Sequence, residues 1–204
     1  MSNAEHAPAA LTVRTASDSD RDAWNAFVDA QADATFFHRF EWREVLARAF
    51  GHKDYYLLVE RDGRVEGILP LAHVNSRLFA NALISTPFCV YGGVVAASDE
   101  AYRALIEHAC ELADSLGVDY LECRNLVARE PSWPSKDLYV TFRKEILPDS
   151  EANLLAIPKK QRAMVRKGIK AGLVATVEDS VDTLYDCYSQ SVRNLGTPVF
   201  GKSY

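Results

Sequence analysis

Apolar residues crowd residues 55–60 and 64–74, two runs that flank Asp62-Gly63 and give the chain's strongest strand signal. Two such runs on either side of an Asp-Gly dipeptide predict strands joined by a tight hairpin turn. Pro70, inside the second run, has no N–H for a ladder, so an edge or a bulge is expected there. Elsewhere apolar positions take helical spacing. In residues 99–117, Tyr102, Leu105, Ile106, Ala109, Leu112 and Leu116 recur at spacings of three and four, with Ser98 or Asp99 placed to cap a helix and Gly117 to stop it. Ser17 and Asp20 have the form of a capping box ahead of a helix that turns Trp24, Phe27 and Val28 inward. A further helix over residues 38–50 would bury Trp42, Val45, Leu46 and Ala49 and end at Gly51.

Shorter signals complete the first part of the chain. Residues 11–14, 118–123 and 138–142 read as strands, and 82–96, containing TPFCVYGGVV, as two strand pieces joined by a constrained turn. Helices, hairpin, strand, long helix and strand in this order imply a mixed α/β layer structure. After Pro148 the pattern restarts with a short helix over 151–156, a helix over 159–170, a strand over 173–177 and a helix over 181–192. The expected organisation is a loose tail (1–10), a first domain (11–148) and the opening of a second (149–204). One strand between helices cannot complete a layer, so the second region must pack on the first, pair with another chain or stay partly disordered.

Charge changes the picture at one place. Residues 157–172, IPKKQRAMVRKGIKAG, hold Lys159, Lys160, Arg162, Arg166, Lys167 and Lys170 and no acid, while the whole chain has 23 basic and 28 acidic residues. Pro158 suits a helix start and Gly172 a helix end. On a helix, Lys159, Arg162, Arg166 and Lys170 form one stripe with Lys160 and Lys167 beside it, and Val165, Ile169 and Leu173 make the opposite, inward seam. A local cationic patch on an acidic protein reads as an anion site; a merely solvated charged face is the alternative. RNA stacking would want aromatic residues in the run, and there are none; a membrane helix would want a wider apolar face unless neighbouring helices supply it.

Other chemistry is sparse. Cys89, Cys110, Cys123 and Cys187 are dispersed in apolar or aromatic settings and read as free thiols, and the five histidines make no ligand-like cluster, so no metal is expected. Glu122 in VDYLECR could serve as a channel base, but strand alternation favours placing Tyr120 and Glu122 outward and Leu121 and Cys123 inward. His73 and His108 read as structural groups, and His52 as a polar residue past a helix end. No apolar run reaches the roughly 20 residues of a bilayer span and no signal-peptide pattern opens the chain, which points to a cytoplasmic protein, at most peripheral at the inner membrane face.

IPKKQRAMVRKGIKAGL followed by RNLGTPVF, with GILPLAHVNSRLF and TPFCVYGG upstream, resembles the FemAB-like proteins of the exosortase and PEP-CTERM system, related to Fem-type peptidoglycan aminoacyltransferases. The likeness covers residues 11–204 and is most specific toward the end. It implies two domains of the Gcn5-related acyltransferase (GNAT) type with a substrate channel, the second domain largely missing from this chain. It further implies transfer of an acyl or aminoacyl group to an amine of an envelope or exopolysaccharide precursor. Acyl-CoA or aminoacyl-tRNA would be the co-substrate, with nothing bound tightly, and the partner an anionic or lipid-linked precursor, a tRNA, or a subunit completing the fold. By the same resemblance Arg193 and Asn194 are candidate acceptor contacts and Tyr91 a channel wall; helix capping and core packing are the competing explanations. The glycine-rich turn that cradles coenzyme A in the common acetyltransferase fold has no convincing copy, because Gly92-Gly93 sits in an apolar context. A noncatalytic scaffold binding an anion or RNA stays open beside the transferase.

Overall fold

The computed structural model describes residues 10–76, 78, 80–136 and 138–204; the expected tail lies outside them except for Ala10. In chain order the elements are β1 (Thr12–Thr15), α1 (Arg21–Ala30), α2 (Trp42–Phe50), β2 (Lys53–Arg61), β3 (Arg64–Ser76), β4 (Ala80–Ser85), β5 (Val95–Ala96), α3 (Asp99–Leu116), β6 (Tyr120–Glu122), α4 (Ser150–Leu155), α5 (Lys159–Lys170) and α6 (Asp182–Asn194). They fall into two units. One runs to Ser132 and takes back Phe200–Tyr204; the other is Trp133–Val199.

The first unit is a mixed α/β layer structure. Its sheet has the order β1-β2-β3-β4-β6, antiparallel throughout except for the parallel pair β4 and β6, and β5 adds to β3. Asp62 and Gly63 both have positive φ, the backbone a two-residue hairpin turn requires, and Arg61 pairs with Arg64 across it. Alternation then sorts β2 onto two faces. Tyr56 and Leu58 join Trp24, Phe27, Val28, Phe40 and Ile68 under α1, whereas Leu57 and Val59 join Leu69, Leu71, Leu83, Leu105 and Ala109 under α3. The Trp24 indole N–H donates to the His38 carbonyl at 2.7 Å, so the largest core residue also leaves no polar group unsatisfied.

Pro70 is neither at an edge nor in a bulge. It pairs with Tyr56 inside the sheet, at the point where β3 exchanges one neighbour for another: Ile68 pairs with Val95 of β5, and Leu71 with Ser85 of β4. The Pro70 carbonyl accepts from Thr86 N–H on that side, and the missing N–H falls where β4 has turned away. The sheet's bulge lies elsewhere, between Val59 and Glu60.

Three expectations are corrected in the second unit. Residues 138–142 form no strand, and Tyr139 and Phe142 stand 93% and 92% exposed with no partner ladder. Residues 173–177 form none either. The three helices are present at the expected places, but the apolar seam of α5 is not inward: Val165, Ile169 and Leu173 are 42%, 65% and 77% exposed. Among the described residues of 133–199 none is buried. A strand segment without a neighbour and a helix face without a cover gain nothing from their hydrophobic pattern, which is why pattern alone misassigned them. No helix among the described residues is long and apolar enough to cross a membrane.

The contrast between units is measurable. Leu105→Ala, at a fully buried position against Gly67 and the sheet, should cost about 2–5 kcal/mol, read as a lower urea midpoint. Ile169→Ala should stay within about 0.5 kcal/mol of the parent. A large loss at Ile169 would show that its face is covered.

Candidate functional site

The cationic helix α5 begins after Pro158, whose φ of −52° is already helical and whose carbonyl takes the Arg162 N–H at 2.9 Å. Its first turn carries Lys159 and Lys160 and no acid. Cations there oppose the helix dipole, so local helix stability does not explain them. Arg162 is half-buried and its Nε donates to the Ile157 carbonyl at 3.2 Å, which fixes the guanidinium beside that first turn. Among the described residues no acid pairs with any of Lys159, Lys160, Arg162, Arg166, Lys167 or Lys170. Arginines of the first unit behave otherwise. Arg14 meets Asp20 and Glu60, Arg43 meets Asp18 and Asp54, and Arg61 meets Glu66 and Glu100.

The RNLGTPV segment closes α6. Gly196 has φ +77°, its N–H reaches the Arg193 carbonyl at 3.0 Å, and Thr197 N–H reaches Val192 at 3.2 Å. That paired arrangement terminates a helix and needs a left-handed residue at Gly196. Beside it an open cleft of about 540 Å³ is lined by Asp186, Ser189, Gln190, Arg193, Gly196, Thr197, Pro198 and Val199. Arg193 therefore faces a cleft, while Asn194 is the last helical residue and exposed. None of the α5 cations lines this cleft. Tyr91 belongs to the other unit and is partly buried there.

Tyr91 lies in a turn the sequence pattern only hinted at. Residues 86–94 leave the sheet at the end of β4 and settle on the chain that follows β6. Gly92 and Gly93 N–H groups donate to the Arg124 carbonyl at 3.2 and 3.0 Å, and Val94 N–H to Asn125 Oδ1 at 3.2 Å. Arg124 in turn donates its own N–H to the buried Ser85 hydroxyl at 2.7 Å and its guanidinium to the Cys89 carbonyl and to Glu122. The approach is so close that a Cβ on Gly93 would lie 1.9 Å from Asn125 Oδ1. Thr86 and Phe88 both hold positive φ, a strained backbone that only dense anchoring maintains.

These contacts settle several candidate roles. The amides of Gly92 and Gly93 that a pyrophosphate would need are already spent on Arg124, and α3 opens with Asp99 and Glu100, which repel an anion. The residues around this turn do not fit a coenzyme A cradle. Glu122 is held by Arg124 at 2.9 Å, with Tyr120 exposed and Leu121 and Cys123 packed toward α3. Cys89 is buried, its thiol pushed up to about 11 by burial, and is a poor nucleophile at neutral pH. His73 bonds Asn81 at 2.7 Å, and His52 stacks on Phe50 and Phe88. Phe200 meets the Phe50 ring edge-on and Tyr204 meets it at a tilt.

His38 ties the turn to the segment before α2. It is buried, its Nδ1 accepts from Thr35 N–H at 3.0 Å, and its Nε2–H therefore donates to the Gly93 carbonyl at 3.0 Å. Burial lowers its pKa below the ordinary 6.5. The unfolded chain then takes up the proton first, so this histidine's contribution is intact above about pH 6.5 and fades as pH falls toward the folded-state value. Urea midpoints should decline over that window with a slope of at most ~1.4 kcal/mol per pH unit from this one group. In His38→Gln the decline should flatten from a lower starting stability; an unchanged pH profile in that variant would contradict the assignment.

No protein-family model matches the chain, and no curated protein matches it. Among solved structures it is similar to a GNAT family acetyltransferase of Staphylococcus aureus subsp. aureus USA300_TCH1516, at 15% identity and a TM-score of 0.42, over 67% of this chain and 98% of that one. It is also similar to a transcriptional regulator from Bacillus halodurans C-125, at 10% identity and a TM-score of 0.40, over 84% and 97%. Both overlays are loose, and neither assigns an activity to this chain.

Proposed function

We propose that the chain is part of an N-acyltransferase or aminoacyltransferase of the FemAB-like, exosortase-associated kind, with residues 11–148 as a first GNAT-type domain and 149–204 as the opening of a second. Its acceptor is an amine of an envelope or exopolysaccharide precursor. The donor rides on an anionic carrier, aminoacyl-tRNA or acyl-CoA. The observation that carries this reading is the unmatched cationic stripe of α5, set against a first unit whose half-buried arginines meet carboxylates.

In such a transfer the amine nitrogen attacks the acyl carbon, negative charge gathers on the acyl oxygen, and the carrier's oxygen or sulfur departs. What α5 contributes is the grip on the carrier. Arg162 and Arg166, one turn apart, hold phosphate oxygens in pairs, and Lys159, Lys160, Lys167 and Lys170 act as mobile point charges around them. Arg193 holds a polar part of the acceptor in the cleft with Ser189 and Gln190, and Asn194 extends that contact along the rim. No proton acceptor is assigned, because Glu122, His38, His73 and Cys89 have structural partners. That same commitment favours a second reading, a noncatalytic anion-binding scaffold that uses the identical helix.

Replacing Arg162 and Arg166 together by Gln should weaken binding of aminoacyl-tRNA or coenzyme A by roughly 100-fold and flatten the salt dependence, measured by filter binding or calorimetry. Unchanged affinity for both would remove the anion site. Radiolabelled transfer to amine-bearing envelope precursors then separates the two readings: binding with no transfer from either carrier leaves the scaffold.

A further inference from the structure

The apolar side of α5 is as unusual as its cationic side. Met164, Val165 and Ile169, with Gly168 and Gln161 between Met164 and Val165, lie on the arc away from Lys159, Arg166 and Lys170, and the three are 65%, 42% and 65% exposed. Leu173, Val174 and Val177, just beyond the helix end, are more exposed still. Arg162 borders this arc on one side, next to Ile169, and Lys160 and Lys167 border it on the other, next to Met164. A helix with an apolar arc in water, cations along both margins and no acid in its twelve residues has the layout of one that lies flat in a lipid interface. The long basic side chains at the margins reach up to phosphate level while their stems stay in the apolar layer.

We propose that α5 docks on an anionic lipid surface, with its cations on the headgroup phosphates and Met164, Val165 and Ile169 entering the acyl boundary. This rests on the anion-binding reading of the same helix and narrows it: the acceptor or its carrier is met at a bilayer. Charge selects this occupant. A second copy would bring six cations toward six with no acid on either helix. RNA would find no aromatic ring between Lys159 and Lys170 on which to stack a base. A soluble phosphate would leave the apolar arc in water.

The test is co-sedimentation of the full chain with vesicles of phosphatidylcholine alone and of phosphatidylcholine with an equal part of phosphatidylserine. Binding is expected only to the second, weakening with added salt. Ile169→Asp should abolish it. Arg162→Gln with Lys167→Gln should weaken it about 30-fold. Because Ile169, Arg162 and Lys167 are not buried, these variants should keep the parent's circular dichroism and urea midpoint.

Three outcomes overturn the proposal: no binding to anionic vesicles, equal binding to both compositions, and undiminished binding of Ile169→Asp. Self-association of the chain that Ile169→Asp dissolves, without vesicle binding, assigns the face to a second copy and also overturns it. Retained affinity for inorganic pyrophosphate or tRNA without vesicle binding removes the lipid proposal and spares the anion site. Loss of affinity for all of these removes both.

Discussion

Strands β2 and β3 are buried on both faces, and the rest of the first unit follows from that constraint. A strand that is apolar on successive residues cannot lie against water on either side. Tyr56 and Leu58 require a cover on one face and Leu57 and Val59 on the other, so α1 and α3 must lie on opposite sides of one sheet. Once both helices are seated, the ends of β4 and β6 are left at a rim where no helix covers them. The irregular turn of residues 86–94 fills that rim, held by Arg124, Asn125 and His38 rather than by a ladder.

The second unit obeys no such constraint. Its helices have the right local grammar, including a proline start on α5 and a glycine stop on α6, and each forms. Among the described residues of 133–199 none is buried, however, so propensity and capping shape these segments. Electrostatics divides the chain along the same line. Half-buried first-unit arginines are drawn into ion pairs around the sheet, while the α5 cations meet no carboxylate among the described residues.

What could be read from residues alone tracks this division. The Asp62-Gly63 hairpin, the Ser98 cap and the inward faces of α1 and α3 were legible because local chemistry and burial agree there. Residues 138–142 and 173–177 were misread as strands because a strand exists only through a neighbour, and composition does not report whether a neighbour is present. Pro70 misled for a related reason: its tolerance depends on two other strands exchanging places beside it. At the site, the six cations were visible as a run, but the closing of the Gly92-Gly93 amides on Arg124 and the two-sided bonding of His38 were not. The Gly92 and Gly93 bonds to Arg124 span 32 and 31 positions and the His38 bond to Gly93 spans 55, and no spacing rule reaches across such distances.

The sheet's connectivity also orders the events of folding. β2, β3 and β4 follow one another with only two and three residues between them, so their pairings close small loops at little entropic cost and can form early. The β1 partners Thr12 and Glu60, and the β4 and β6 partners Ala82 and Tyr120, lie far apart along the chain and must wait for α1, α2 and α3 to condense. The turn at residues 86–94, whose anchor Arg124 follows β6 in the chain, cannot close before β6 is in place. The rim of the sheet is the part that a growing chain completes only after its core has closed.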